Sequence, residues 1–159
     1  MKRGSLEFGY MPVVIGEEAR LPFPDGFFDI VYCSSVIEHV TVPKHRVWTL
    51  RSASQFEEEA RRRQEAFAAE IRRVGRCFFV QTPSRNFPIE SHTWMPLVGS
   101  LPRRLLIPWL RFTNRFWVKK ASPDFRLLDG KEMSRLFGGA TIVEEKAFGM
   151  VKSIIAVSA

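Results

Sequence analysis

The residues best placed to do chemistry follow a short apolar run in the first quarter of the chain. Residues 27–32 are rich in aromatic and β-branched types, which is typical of a strand buried on both faces in a parallel sheet. Residues 33–39 come directly after it, and ligands of open α/β sheets bind beyond the carboxyl ends of the strands. His39 has a side chain that titrates near neutrality, as a general base requires. The pattern therefore predicts a ligand site at residues 33–39, where Ser34 and Ser35 can also cap a following helix.

The elements before and after this site can be predicted from turn-forming and capping residues and from hydrophobic periodicity. Residues 12–16 are a predicted strand that leads to Glu17. The prolines and the Asp-Gly pair within residues 21–26 predict a turn. Apolar side chains recur at helical spacing over residues 55–74, which predicts a helix capped by Ser54.

The second half of the chain predicts the remaining strands and a short helix. Residues 77–81 form a strand, and Asp129 with Glu132 has the spacing of a capping box at a helix start. Residues 141–148 and 151–157 predict two further strands. This order predicts an α/β fold in which a helix crosses over between parallel strands and an antiparallel pair follows.

The run over residues 16–40 resembles a known enzyme family. It reads G-E-E-A-R-L-P-F-P-D-G-F-F-D-I-V-Y-C-S-S-V-I-E-H-V. Class I S-adenosylmethionine-dependent methyltransferases of the type 11 branch carry a similar pattern, G-D-A-x-x-L-P-F-x-D-x-x-F-D-x-V-x-x-x-x-x-x-E-H-V, and residues 81–93 resemble one sub-branch. The matching positions are Leu21, Pro22, Phe23, Asp25, Phe28, Asp29, Val31, Glu38, His39 and Val40. The resemblance covers nearly the whole chain from about residue 12 and implies a partial Rossmann-like methyltransferase sheet.

The resemblance also implies a cofactor, S-adenosylmethionine, and roles for residues near the strand ends. Glu17, Glu18, Cys33 and Ser34 are the implied cofactor contacts. Glu17 stands at the position of the family's aspartate, which accepts a hydrogen bond from the adenine amino group; the alternative is a solvated loop carboxylate. His39 is the implied catalytic residue, although in the family this histidine is more often part of the site's architecture. Methyl transfer is a direct displacement, which needs alignment more than acid-base equipment.

One part of the family pattern has no counterpart in this sequence. The family begins with a strand and a G-x-G-x-G loop, and an acidic residue after its second strand holds the ribose; residues 1–15 provide neither. We therefore expect residues 1–159 to be a single, amino-terminally truncated domain that an upstream segment or a partner chain completes. Cofactor binding by this chain alone is expected to be weak or absent. Two functions stay open: methyl transfer to a small-molecule or lipid-like acceptor, and a non-catalytic remnant or binding module.

Residues 91–123 form a basic, aromatic insertion in the predicted domain. It contains six lysines and arginines, and no acidic residue falls between Glu90 and Asp124. Residues 102–120 predict an amphipathic helix that starts between Arg104 and Pro108, because proline fits only the first turn. The apolar face holds Leu105, Trp109, Phe112 and Phe116, and a basic face holds Arg104, Arg111, Arg115 and Lys119.

The basic helix has two interpretations. Its pattern is typical of peripheral membrane contact or of a cover over an apolar substrate. A helix packed on the domain with a solvated basic edge gives the same pattern. No motif that reads RNA or DNA accompanies the charge, so a nucleic-acid partner is not expected.

Composition bounds the remaining possibilities. A chain of 159 residues with 45% hydrophobic and 26% charged residues is ordinary for one globular domain. Cys33 and Cys77, without a secretory signal, indicate a reducing, cytoplasmic location, at most peripheral to a membrane, and both are expected to be buried. The cysteines and histidines lack the spacing of metal ligands, and no apolar stretch approaches the ~20 residues that a membrane span needs.

Overall fold

The protein alternates strands and helices along the described part of the chain. The computed structural model describes residues 13, 20–89, 94, 95, 98 and 101–158. The elements are β1 (Phe28–Ser34), a 3-10 helix (Ile37–His39), α1 (Ala53–Val74), β2 (Gly75–Pro83), α2 (Arg103–Thr113), α3 (Gly130–Leu136), β3 (Thr141–Ala147) and β4 (Met150–Ser158). Of the strand predicted over residues 12–16, only Val13 lies within the described residues.

The four described strands form one mixed sheet in the order β1-β2-β4-β3. β1 and β2 run parallel, with Ile30 opposite Cys77, and α1 makes the crossover between them. β4 pairs antiparallel with both β2 and β3. A parallel pair followed by an antiparallel pair confirms the expected α/β class and the partial Rossmann-like sheet.

Local signals set most helix boundaries. α1 starts two residues earlier than predicted, because Ser52 rather than Ser54 has an extended backbone and accepts a hydrogen bond from the N–H of Gln55. α3 has the predicted capping box: Asp129 accepts from the N–H of Glu132, and the Glu132 side chain accepts from the N–H of Asp129.

The main core lies between one face of the sheet and two helices. α1 contributes Ala68 and Ile71, and α3 contributes Met133 and Leu136. The sheet contributes Cys33, Phe78, Val80, Ile154 and Ala156. Both helices therefore cover the same face, and they position the carboxyl ends of β1 and β2.

The prediction that residues 27–32 are buried on both faces is wrong. Val31 packs against the core, but the alternate side chains of β1 point to the opposite face, where Ile30 is 69% exposed and Tyr32 72% exposed. Tyr32 stacks on Phe79 of the neighbouring strand with ring centroids 5.2 Å apart. An apolar run shows that both sides of a strand are hydrophobic, but it does not show which side a helix covers.

The predicted start of the basic helix is also wrong, because α2 begins at Arg103 and carries Pro108 in its interior. The carbonyl of Pro102 accepts hydrogen bonds from the N–H groups of Leu105 and Leu106, which closes the first turn ahead of the proline. Pro108 lies on the exposed side, where water can satisfy the carbonyl that loses its N–H partner. The helix therefore tolerates a residue that normally marks a first turn.

Candidate functional site

The carboxyl ends of β1 and β2 are joined through one glutamine. The Ser34 hydroxyl donates to Oε1 of Gln81 over 2.7 Å, and the Ser35 hydroxyl reaches the same oxygen at 3.3 Å. The main-chain N–H of Ser35 donates to the Gln81 carbonyl. Ser35 has a φ of +52°, a conformation that non-glycine residues adopt rarely. These contacts, rather than the predicted helix cap, engage both hydroxyls and fix the turn at the strand end.

Cys33 points into the core, as predicted for a buried cysteine. Burial, and secondarily the nearby charge of Glu38, raises the pKa of its thiol to about 11. A thiol in this state is neutral at physiological pH and is a poor nucleophile. The predicted cofactor contact of Cys33 would therefore be made through its main chain.

The Glu38 carboxylate is fully buried and belongs to a hydrogen-bond network behind the carboxyl end of β1. Its Oε2 accepts a hydrogen bond from the Thr82 hydroxyl over 3.0 Å. The main-chain carbonyl of Glu38 accepts a hydrogen bond from the N–H of Arg126. The main-chain carbonyl of Ile37 accepts one from the side chain of Gln64. The 3-10 helix is thus tied to β2, to α1 and to the loop that precedes α3.

Arg126 is the centre of this hydrogen-bond network. Its guanidinium forms ion pairs with Glu57 and Glu132 and donates to Oε1 of Gln64 over 2.9 Å. Burial acts to lower the pKa of Arg126, but the two carboxylates outweigh it and the net shift is upward. Because the charge is buried and paired, this network orders the loop instead of presenting a reactive group.

His39 lies on the outer side of the same 3-10 helix. Its Nδ1 is 3.4 Å from Oδ1 of Asp124, and about a third of the side chain is exposed. The Thr41 hydroxyl donates to the main-chain carbonyl of Asp124, which holds that residue in place. His39 is therefore accessible but anchored, which suits either of the roles considered for it.

The turn at residues 21–26 is held against the carboxyl end of α1 by hydrogen bonds and ion pairs. Arg73 donates to the carbonyls of Leu21 and Phe23 and pairs with Asp25 and Glu70. Glu70 in turn accepts from the N–H of Leu21 over 2.7 Å. The hydrogen bond from Arg73 holds the pKa of Glu70 at about 2, well below its usual value.

A cleft of about 350 Å³ opens beyond the carboxyl ends of β1 and β2. Polar side chains at its walls include Ser35, Gln81, Glu145 and Lys152, and Phe87 and Trp94 add apolar surface. The volume falls within the range of small-molecule sites. The cleft therefore occupies the edge of the sheet at which α/β proteins bind ligands.

A second cleft, of about 450 Å³, lies beside α2 and has an almost entirely apolar lining. Trp109, Phe116 and Trp117 supply most of its aromatic surface. Trp94 borders the first cleft and the adjacent Met95 borders the second. Two residues adjacent in sequence therefore border different clefts, and the first cleft has more polar groups in its lining than the second.

Comparison with known proteins gives a family match for the first part of the chain. A family model described as a methyltransferase domain, type 11, matches residues 2–76, just under half of the 159 residues. No curated protein and no solved structure matches the chain significantly. The match includes the turn at residues 21–26, β1 and α1. Methyltransferase domains of this family generally bind S-adenosylmethionine.

The structure brings together only some of the residues predicted for the methyltransferase site. Ser34 is bonded to Gln81, which lines the first cleft, whereas His39 is not among the residues that line that cleft. Glu17 and Glu18 lie outside the described residues. Their cofactor contacts, like the catalytic role of His39, stay predictions.

Two polar residues of the structural framework were missed by sequence reasoning. Gln81 joins the strand ends, and Gln64 holds the 3-10 helix. A signal for Gln64 existed, because it stands four residues from both Ala60 and Ala68 on the inward face of α1. A polar residue in the apolar stripe of a helix indicates a buried hydrogen bond.

Two kinds of feature are absent from the described residues. None of their helices is both long and apolar enough to cross a bilayer. They contain no group of three or more histidine, cysteine or acidic side chains arranged to hold a metal ion.

Proposed function

We propose that this protein takes part in S-adenosylmethionine-dependent methyl transfer to a lipid-like acceptor. The observation that carries the proposal is the first cleft, beyond β1 and β2, because β1 lies within the methyltransferase domain match and the cleft occupies the ligand edge of the sheet. The cofactor supplies a methyl group on a sulfonium sulfur. The protein's contribution is to align the acceptor, since a direct displacement gains mainly from orientation.

The cofactor side of the site is assigned to the strand ends. Glu17 and Glu18 fall within the matched range, and the main chain at Cys33–Ser34 offers a wall because the Cys33 side chain is buried and the Ser34 hydroxyl is bound to Gln81. The sequence contains no G-x-G-x-G loop. Each missing hydrogen bond to a charged group weakens binding by ~1.5–3 kcal/mol. We therefore propose that this chain alone holds the cofactor weakly.

The acceptor side is assigned to the two adjoining clefts. Lys152 and Glu145 give the first cleft the polar groups that can orient a head group. The aromatic lining of the second cleft suits an apolar tail, and the adjacent residues Trp94 and Met95 border the first and the second cleft respectively. The polar groups of the first cleft and the apolar lining of both clefts together favour a lipid-like acceptor over a small polar one.

His39 stays the predicted general base. A base must come within ~3 Å of the proton that it removes, directly or through one water. About a third of the His39 side chain is exposed, so an acceptor could reach it, although Asp124 anchors its ring. The His39→Asn variant tests this role: a base predicts a lower rate that recovers as pH rises, whereas a purely architectural residue predicts a rate loss that is independent of pH.

A second function, a non-catalytic binding module, is favoured by one observation. The sequence as given has no glycine loop, whereas described residues beside α2 line an apolar cleft of about 450 Å³. Such a module would bind the apolar ligand without transferring a methyl group.

Two measurements on the full chain separate these functions. Calorimetry with S-adenosylmethionine is expected to show no binding at micromolar concentrations, and tight binding would contradict the weak-cofactor proposal. Transfer of labelled methyl from saturating cofactor into a lipid extract is expected to fall about tenfold in Trp94→Ala, the loss that ~1.4 kcal/mol of acceptor alignment would produce. The matched control is Phe148→Ala, an exposed aromatic outside both clefts. No transfer by the wild type at saturating cofactor would favour the binding module.

A further inference from the structure

The two sides of α2 are both apolar, but only one of them packs against the protein. Leu106 and Leu110 face inward and join a small core with Met95, Phe125 and Leu127. The aromatic residues that the sequence places on another face are largely exposed. Trp109 is 45% exposed, Phe112 56% and Phe116 63%. The packing of the helix therefore does not account for its outer aromatic side chains.

Basic side chains run beside this exposed aromatic surface. Arg104, Arg111 and Arg115 recur at spacings of seven and four, so they share one flank of α2 and the turn that follows it. All three are exposed, and the guanidinium of Arg111 also lies 5.8 Å from the ring of Trp48. Residues 91–123 contain no acidic side chain that would neutralise this flank from within the segment.

The first basic residue of the segment, Arg103, has a different role. Arg103 is buried and donates to three main-chain carbonyls inside the protein. Its charge therefore anchors the helix instead of contributing to the surface. The anchor makes α2 a rigid platform, because its inner face and its first residue are both fixed.

We propose that α2 and the turn after it dock on an anionic phospholipid bilayer. The arginine flank would face the lipid phosphates, and the aromatic side chains would enter the interface beside them. Charge complementarity favours this occupant: three exposed arginines without acidic neighbours in their segment match a negative surface, whereas an apolar protein partner would leave them uncompensated. The adjoining apolar cleft would then open toward the lipid phase. Docking of this kind requires neither the cofactor nor methyl transfer.

Vesicle co-sedimentation tests the proposal with the full chain. We expect binding to vesicles of phosphatidylglycerol and phosphatidylcholine, and little binding to phosphatidylcholine alone. Raising the salt from about 0.1 M to about 1 M shortens the screening length from ~10 to ~3 Å, so it should release the protein. Neutralising each arginine should weaken binding about fivefold, which corresponds to about 1 kcal/mol per basic residue at an anionic surface. The charge variant is Arg104→Gln, Arg111→Gln and Arg115→Gln combined, with an expected loss of about 100-fold.

Matched controls separate a surface effect from loss of charge or fold. A triple variant on α1 removes the same net charge from three exposed positions and should bind like the wild type. It combines Arg61→Gln, Arg62→Gln and Arg72→Gln. The aromatic variant Phe112→Ser with Phe116→Ser should lose binding as well, whereas Phe148→Ser should not. Circular dichroism of each variant checks that the fold is retained.

Three outcomes would overturn the proposal. One is absence of wild-type binding to anionic vesicles, and another is equal binding by the wild type and the α2 charge variant. The third concerns the competing occupant, a second copy of this chain. A dimer in sedimentation equilibrium that dissociates in the aromatic variant, together with no vesicle binding, would assign the surface to self-association. A failure of methyl transfer would leave vesicle binding unaffected, so the two proposals fail separately.

Discussion

Replacing Arg103 by methionine tests whether a buried charge holds α2 in place. The guanidinium donates to the carbonyls of Leu50 and Pro123, each over 2.7 Å, and to that of Val47 over 2.5 Å. It also lies 3.7 Å from the centre of the Phe56 ring. Methionine retains contact with that ring but donates no hydrogen bond, so three carbonyls would lose a charged donor.

The expected destabilisation is the difference between two opposing contributions. Three hydrogen bonds from a charged donor together contribute roughly 4–9 kcal/mol. Burial, only partly offset by the charge of Asp124, lowers the pKa of Arg103 to about 10. That shift corresponds to a cost of about 3 kcal/mol for keeping the guanidinium charged, which methionine does not incur. We therefore expect Arg103→Met to lower the free energy of unfolding by about 3 kcal/mol.

Urea denaturation followed by circular dichroism measures this change. For a slope of about 2 kcal/mol per molar urea, the midpoint should fall by about 1.5 M. The neighbouring Arg104→Met removes the same charge from an exposed position and should change stability by less than about 0.5 kcal/mol. Midpoints for the two variants that agree within about 0.3 M would refute the anchoring role of Arg103.

Three further predictions concern the sheet and the helix α1, which position the site. Because the pKa of Glu70 is held at about 2 by Arg73, its ion pair contributes fully above about pH 4.5 and is lost as pH falls toward 2; the wild type should therefore lose more stability than Glu70→Gln over that window in acid titrations of unfolding. Cys33, with its pKa near 11, should resist iodoacetamide at pH 8 until the protein is unfolded, as read by mass spectrometry, and rapid labelling of the folded protein would contradict its burial. Gly75→Ala should destabilise the fold by ~1–3 kcal/mol in thermal melts, because a Cβ there would lie 2.7 Å from a methyl of Val31, whereas Gly138→Ala, with open space around it, should be tolerated.

Features with a local cause could be predicted from the sequence. The capping box at Asp129 and the apolar stripe of α1 each lie within a few turns of one helix, and the structure contains both. The predicted strands over residues 141–148 and 151–157 are found as β3 and β4 to within a residue or two, because a tight turn separates them. Short-range physics is sufficient for such elements.

Features with a distant cause could not be predicted. Pro108 lies inside α2 because Arg103 and the carbonyl of Pro102 fix the first turn ahead of it, and the partners of Arg103 are 20 to 56 residues away. The exposed face of β1 likewise depends on which side α1 and α3 cover. At the site, Gln81 reaches Ser34 across 47 residues of sequence, a contact that no local pattern encodes.

The range of the family match explains why the match does not identify the methyl acceptor. Within residues 2–76, the motif residues bind the protein itself: Asp25 pairs with Arg73, and the buried Glu38 carboxylate accepts from Thr82. These contacts build the frame of the domain and contain no group directed at a methyl acceptor. The first cleft takes most of its described walls, including Gln81 and Lys152, from beyond residue 76, and so do all the described residues that line the aromatic cleft. A family match that ends at residue 76 therefore covers the structural framework, whereas acceptor choice has to be tested on the residues that follow it.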